Sequence, residues 1–483
     1  MIHLIFKDLE TNKNEIINKF NNTSDLIVYE FSTKSNVKAM VCYLEGFIDR
    51  DLLDRDIIKP IMLNLESPKN LKKIIYTSSL REMDILQDAM DKMAYGSIAL
   101  FLDGTSKVFT IDLNHWEKRA IEEPKAEAVV RGPKEGFIED ISTNKAMLRR
   151  RMRNNNLVFE DHIVGKQTKT KISIAYIYGI ANENVLKEVN KRIKKIDIDG
   201  VLESGYIEQL IEDNPLSLIS TIGNTQRPDV VIARLLEGRI GIICDGTPHV
   251  LTIPKVFLED IQASEDYYLR PYFASFLRAL RVFSIFLSIV LPGLYVALQT
   301  FHQEMIPTVL LITMAGAREG VPFPAVVEAF LMTLMLELIK ESGIRLPKEV
   351  GSAVSIVGAL VLGQAAVEAG IVSAPMVIIV AVTAIAEFAV PSLSEVVVLY
   401  RFVLIILGAF MGIYAIVCAL VILAVQMISL DSFGISYGYP LAPRDKQGLK
   451  DFIIRFPLWS FIFRPIAIEK ENIIRQKNRK KWR

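Results

Sequence analysis

From Val282 to Leu430 long apolar runs follow one another with few charges between them, whereas the residues before about Tyr268 are densely charged and carry only short apolar runs. A chain patterned this way cannot bury all its apolar surface in one water-soluble core, and repeated runs of near-membrane length are what bilayer-crossing helices require. The sequence therefore predicts an α/β cytoplasmic region of two duplicated subdomains, about 280 residues in all, followed by an α-helical multi-pass membrane domain. Whole-chain figures hide the division. The 51% of hydrophobic residues and the 23% of charged ones occupy different parts of the 483.

The first span is predicted over about Val282 to Phe301, with Pro292 and Gly293 as a kink. Ile306 to Ala315 is too short to cross and reads as a re-entrant or surface helix, which needs protein around its ends. Further runs lie at Pro324 to Ile339, Ala353 to Ala369, Ile371 to Val390 and Phe402 to Leu430. Before them, Glu265 to Arg281 mixes aromatic rings with Arg270, Arg278 and Arg281, the pattern of an interfacial helix at headgroup level. Lys340, Arg345, Lys348 and the basic end Arg475 to Arg483 belong on the cytoplasmic side. No secretory signal follows Met1, so the amino-terminal region is also expected in the cytoplasm. Both ends inside demand an even number of crossings, and the full spans number five. Either one is re-entrant or the last, long run breaks in two. The predicted divisions are 1–124 and 125–262 for the subdomains, 263–281 for the interfacial helix, 282–430 for the membrane domain and 431–483 for a basic cytoplasmic tail.

The charged half carries a weak internal duplication. Lys38-Ala-Met-Val-Cys-Tyr-Leu-Glu-Gly46 resembles Lys171-Ile-Ser-Ile-Ala-Tyr-Ile-Tyr-Gly179, and the run from Gly96 to Ile111 resembles that from Gly238 to Ile253. Each copy holds an Asp-Gly pair, Asp103-Gly104 and Asp245-Gly246, between β-branched runs, which predicts a tight hairpin with positive φ and makes these acids turn formers rather than catalysts. Helical spacing recurs over Ser79 to Met93 and Asn184 to Lys195. No phosphate-binding loop, zinc-protease motif or serine elbow is present, and the five histidines lie far apart, so no catalytic residue, cofactor or metal site is predicted. Cys42, Cys244 and Cys418 are scattered, as suits a reducing compartment. The cluster Arg149-Arg-Arg-Met-Arg153 reads either as a solvated helix end or as a contact for anionic lipid or a partner. A net charge of +1 argues against nucleic-acid binding.

Carboxylates inside hydrocarbon cost a few kcal/mol each, so Glu328, Glu337, Glu368 and Glu387 must face protein or water. On a helix from Gly351 to Gly370, Gly351, Ser355, Gly358, Leu362 and Ala366 share one face, with Gln364 and Glu368 broadly opposite among aliphatic residues. The small face permits close packing, and the other suits a hydrated passage with a cation-attracting ring. Alternatively the small face packs within one subunit and Glu368 marks the helix end.

Several motifs resemble one family. Arg131-Gly-Pro133, Gly136-Phe-Ile-Glu-Asp-Ile-Ser-Thr-Asn144, Gln226-Arg-Pro-Asp229, Asp266-Tyr-Tyr268, Val321-Pro-Phe-Pro324, Ile344-Arg-Leu-Pro347 and Gly363-Gln-Ala-Ala-Val-Glu368 look like the A-subunit of GerA-type nutrient germinant receptors of endospore formers, over about residue 30 to Tyr439. The resemblance implies a three-part receptor in the inner spore membrane, with a B-type membrane subunit associated with germinant binding and a C-type lipoprotein. It implies that the A-type subunit assembles, as a homo-oligomer and by family pattern a pentamer, into an ion channel. It names no catalytic residues. Two other readings stand beside a nutrient-gated cation channel: a non-conducting scaffold with purely structural membrane glutamates, and a germinant-independent channel paralogue that amplifies ion release. Alternating-access transport is disfavoured, because the membrane segments show no inverted repeat.

Overall fold

The computed structural model describes residues 5–75, 77, 79–113, 127, 129–346, 363–468 and 472–476. Its first half holds two five-stranded antiparallel sheets of identical order, β1-β2-β4-β5-β3 and β6-β7-β9-β10-β8. The first comprises β1 (Leu26–Ser32), β2 (Lys38–Leu44), β3 (Arg81–Met83), β4 (Ser97–Leu102) and β5 (Val108–Asp112). The second comprises β6 (Leu157–Val164), β7 (Thr170–Ile177), β8 (Gly223–Thr225), β9 (Ile240–Cys244) and β10 (Val250–Ile253). Helices of eight residues or more are, in this half, α1 (Leu9–Lys19), α2 (Leu86–Ala94), α3 (Ile141–Arg151), α4 (Glu183–Ile193), α5 (Ser204–Ile211) and α6 (Pro228–Leu236).

Alternation along the central strands puts both sheet faces in a core. Val41 and Tyr43 face one cluster while Met40, Cys42 and Leu44 face another, and Ile172 and Ile174 lie opposite Ala175 and Ile177. Burial of this kind pushes the Cys244 thiol up to about 12, an inert side chain rather than a reactive one. Equivalent bonds close the two copies. The Asp103 amide donates to the Lys38 carbonyl and the Asp245 amide to that of Lys171, each at 3.0 Å. Gly104 and Gly246 have φ of +78° and +86°, as the Asp-Gly pairs require. The connections are longer than a tight hairpin, however, since Phe101 pairs with Val108 and Ile243 with Val250.

Three sequence expectations need correcting here. The helix expected from Ser79 begins only at Leu86, because Arg81–Met83 pairs with β5 as an edge strand. The Arg149–Arg153 cluster is largely tied up within the protein: Arg149 is buried, its guanidinium donates two 2.8 Å bonds to Asp25 and one to Thr23, Arg150 and Arg151 share Glu135, and Arg153 alone is exposed, over the Tyr95 ring. It is the tie between the two copies. Finally, the tail adds to the core. Phe433, Ile435, Tyr439 and Ile468 fill the cluster beneath β7 and β9, and the Tyr437 hydroxyl donates to Asp260 at 2.6 Å.

The second half is a bundle of α7 (Pro271–Thr300), α8 (Thr308–Arg318), α9 (Ala325–Arg345), α10 (Ala374–Phe388) and α11 (Ser394–Ser429), with a helical stretch at 363–368. By length and composition alone, α7 and the helix ending at Ser429 are long and apolar enough to cross a membrane. α7 starts at Pro271 without a break at 281, so no separate interfacial helix exists, and Arg278 is wholly buried against Asp266 and Asp451.

α11 is not one rod. Gly412 has φ +63° and ψ −148°, and beyond it the helix folds back, placing Gln426 2.5 Å from the Tyr400 hydroxyl and Ile416 against Gly408. The last apolar run breaks in two. Contacts order the bundle: the level of Ser288 on α7 matches Glu337, Glu387 and Arg401, and that of Tyr295 and Val296 matches Ala325, Ala329 and Met376. Hence α7 and the first arm of α11 run away from the sheets, while α9, α10 and the second arm run back.

Candidate functional site

The bundle's core chemistry starts from a proline. In an α-helix the Ser288 carbonyl would accept from residue 292, but Pro292 has no N–H. An orphaned carbonyl in an apolar bundle needs a donor. Arg401 supplies it, with Nε 2.8 Å from the Ser288 oxygen. Gly293, one residue on, lets α11 come close enough, since a Cβ there would sit 2.7 Å from the Leu404 carbonyl oxygen. The reciprocal contact is Gly408, where a Cβ would meet the Gly293 oxygen at 2.6 Å. Small residues thus set the helix spacing, and the proline sets the demand for a cation.

The rest of the Arg401 guanidinium is spent on carboxylates. Its Nη2 lies 2.6 Å from Glu387 and its Nη1 3.1 Å from Glu337, while Lys340 Nζ bridges the same two acids at 2.6 and 3.1 Å. Ser394 donates to the other Glu387 oxygen at 2.6 Å. Two cations and two anions from α9, α10 and α11 make an electroneutral knot, anchored on α7 by Ser288. At the opposite end Glu328, fully buried, takes Arg318 at 3.1 Å and both the amide and hydroxyl of Ser373 at 2.8 and 2.7 Å.

The three bundle carboxylates Glu328, Glu337 and Glu387 are therefore brought into ion pairs. Gln364 and Glu368 are exposed one helical turn apart, bonded to each other at 2.9 Å, and the helix ends at 368. Gly351, Ser355, Gly358 and Leu362 lie outside the described residues. A cavity of about 1160 Å³ opens between α9 and α10, lined mainly by aliphatic side chains such as Leu336, Ile339 and Val380 and also by Lys340, Glu387, Gly363 and Ala366. Arg401 and Arg318 are the site residues sequence reasoning missed. Each borders an apolar run, where an arginine reads as the end of the run, so no local signal marked either as the partner of a glutamate on another helix. Among the described residues no group of three or more His, Cys, Asp or Glu side chains is arranged to hold a metal ion.

A second cluster sits where the sheets meet the bundle. Arg227 is buried and donates to Asp229 and to the Pro133 carbonyl, both at 2.9 Å; the Tyr268 hydroxyl donates to the same Asp229 oxygen at 2.7 Å. Gly132 presses on the Tyr268 ring, where a Cβ would come within 2.8 Å. Glu265 accepts from the Val130 and Arg131 amides. Three motifs far apart in sequence, Arg131-Gly-Pro133, Gln226-Arg-Pro-Asp229 and Asp266-Tyr-Tyr268, meet here. Burial first, and then the Asp229 carboxylate, push the Tyr268 phenol up to about 12, so it stays a donor.

A family model described as Bacillus/Clostridium GerA spore germination protein matches residues 14–467. Spore germination protein KA of Bacillus subtilis (strain 168) is 44% identical over 98% of this chain and 89% of its own length. A protein of the same organism described as uncharacterized membrane protein YfkQ is 40% identical over 93% of this chain and 89% of its own. The crystal structure of the N-terminal domain of the A subunit of the Bacillus megaterium spore germinant receptor GerK3 is similar at 33% identity and a TM-score of 0.41, covering 53% of this chain and 98% of that one. The chain belongs to the GerA family of spore germination proteins, the germinant receptor A-subunit family.

Proposed function

We propose that this chain is the A-type subunit of a nutrient germinant receptor in the inner spore membrane, and that copies of it assemble into a nutrient-gated cation channel, a pentamer by family pattern, beside B-type membrane and C-type lipoprotein partners. The observation that carries the reading is the Arg401 knot. Charges are kept in an apolar bundle only where something requires them, and here they neutralise Glu337 and Glu387 inside the subunit. Glu368 keeps an exposed carboxylate beside Gln364, the arrangement suited to a cation-attracting ring between copies.

In a bilayer the directions of the helices support six crossings. α7 leads out, α9 returns, and the chain is again at the far end by Gly370, whose neighbour is the Gly320 carbonyl. α10 returns, and the two arms of α11 go out and back. An even count keeps the sheets and the tail on one side, as the charge pattern demands. The scaffold reading draws support from the same knot, because those membrane glutamates act as ties. Potassium release from liposomes separates the two. With the chain and its B- and C-type partners reconstituted, adding a mixture of amino acids and sugars should release potassium, and Leu362→Ala or Glu368→Gln should change the rate. A receptor that assembles, binds nutrient and releases no ion would leave the scaffold reading.

A further inference from the structure

α7 is longer than a bilayer is thick. Its 30 residues span about 45 Å against about 30 Å of hydrocarbon. Its far end, Phe301, lies at the Gly412 turn, so roughly ten residues, from Pro271 onward, are left over at the end nearest the sheets. In a soluble collar those turns would be expected to show polar side chains. Instead Tyr272, Phe273 and Phe276 are 90%, 53% and 62% exposed.

The returning tail is held against this same stretch. The Arg455 amide donates to the Ser275 hydroxyl at 3.0 Å, its Nη1 reaches the Leu269 carbonyl at 3.1 Å, and Arg278 grips the Asp451 and Phe452 carbonyls at 2.6 and 2.9 Å. Beyond that grip the chain turns outward and exposes Phe456, Leu458 and Trp459, the last by 56%. The described chain then comes back to the same place, the Gln476 side-chain Nε2 donating to the Leu458 carbonyl at 2.7 Å. Six large apolar side chains are thus gathered beside the first two turns of α7.

We infer that the tail elbow and the start of α7 form one interfacial anchor that lies in the headgroup layer of the cytoplasmic leaflet, with phospholipid as its partner. Aromatic rings favour that depth, where the ring is sheltered and its polar edge stays wet. The anchor rests on the reading that the bundle spans a bilayer. It fixes the tail and the base of α7 to the lipid surface as one body, because Arg278 and Arg455 lock them together.

Tryptophan quenching by brominated lipid tests it. The full chain with Trp116→Phe and Trp482→Phe keeps Trp459 as its one emitter, and is reconstituted at high lipid excess into vesicles of phosphatidylcholine and phosphatidylglycerol. Bromine carried high on the acyl chains should cut Trp459 emission roughly twofold and bromine near the chain ends should cut it much less, as expected for a ring at headgroup depth. A companion protein with Trp459→Phe and Phe286→Trp, a half-exposed position farther along α7, reports on the bundle itself. Quenching at Phe286→Trp without quenching at Trp459 overturns the anchor alone, and means the elbow faces water or a second copy. No quenching at either position overturns the membrane reading beneath it.

Discussion

At the scale of single residues, Pro292 explains Arg401. The proline orphans the Ser288 carbonyl, the guanidinium satisfies it, and the remaining donors then require Glu337 and Glu387. Removing one member of such a buried pair strands the other, so Arg401→Met is expected to destabilise the full chain in detergent by about 3–5 kcal/mol. Arg401→Met with Glu387→Met should cost much less than the sum of the single changes; additive losses would mean the two side chains are not coupled. Glu259 gives a pH-dependent counterpart in the sheets. Burial pushes its carboxyl up, but Arg234 and Arg239 outweigh that and hold it below the ordinary value of 4.5. A depressed carboxylate contributes stability that is complete above its unfolded value and drains as pH falls through its folded one. The melting temperature of the intact protein should therefore drop more steeply below pH 4.5 than that of Glu259→Gln. Glutamates in apolar runs were legible in the sequence. Their partners were not, because an arginine at the edge of a run looks like a stop signal until the helices are packed.

At the scale of elements, the helix break at Gly412 decides the topology. A residue other than glycine there adopts φ +63° at a cost of about 1–3 kcal/mol, and its Cβ also meets the His302 ring at 2.6 Å. Gly412→Ala should lower the thermal midpoint in detergent, whereas Gly316→Ala, where a Cβ meets open space, should not; equal behaviour of the two would contradict the hairpin. Hydropathy left a break as one of two options, since an apolar run looks the same whether it continues or doubles back. The duplication was legible in the strands and goes further than they suggested. Asp8 caps α1 and bonds the Thr11 amide as Asp140 caps α3 and bonds that of Thr143. Asn12 closes on Phe6 as Asn144 closes on Ile138. The repeated Asp-x-x-Thr-Asn was there to be read, but its helical context is too short for periodicity to mark it.

At the scale of the whole molecule, the chain is held together by its return. Subdomain 2 folds around residues that follow the bundle: Phe433, Ile435, Tyr439 and Ile468 in its core, Ser432 accepting from the Lys255 amide, and Tyr437 bonded to Asp260. Truncation after Leu430 should expose that core and make the sheets protease-sensitive, while truncation after Gln476 should leave them resistant. A long apolar half separates these partners in sequence, and no local pattern could have joined them. This closure puts the sheets, the Arg278 grip and the Arg401 knot in one load path from sheets to bundle, the path the proposed channel would use for gating. The most direct test is electrical. With the receptor in a planar bilayer under a potassium chloride gradient and a mixture of amino acids and sugars added, the account predicts a current whose reversal potential moves toward the potassium equilibrium value. It also predicts that Glu368→Gln weakens that shift. A nutrient-bound receptor that carries no current, or one whose reversal potential stays at zero, would contradict it.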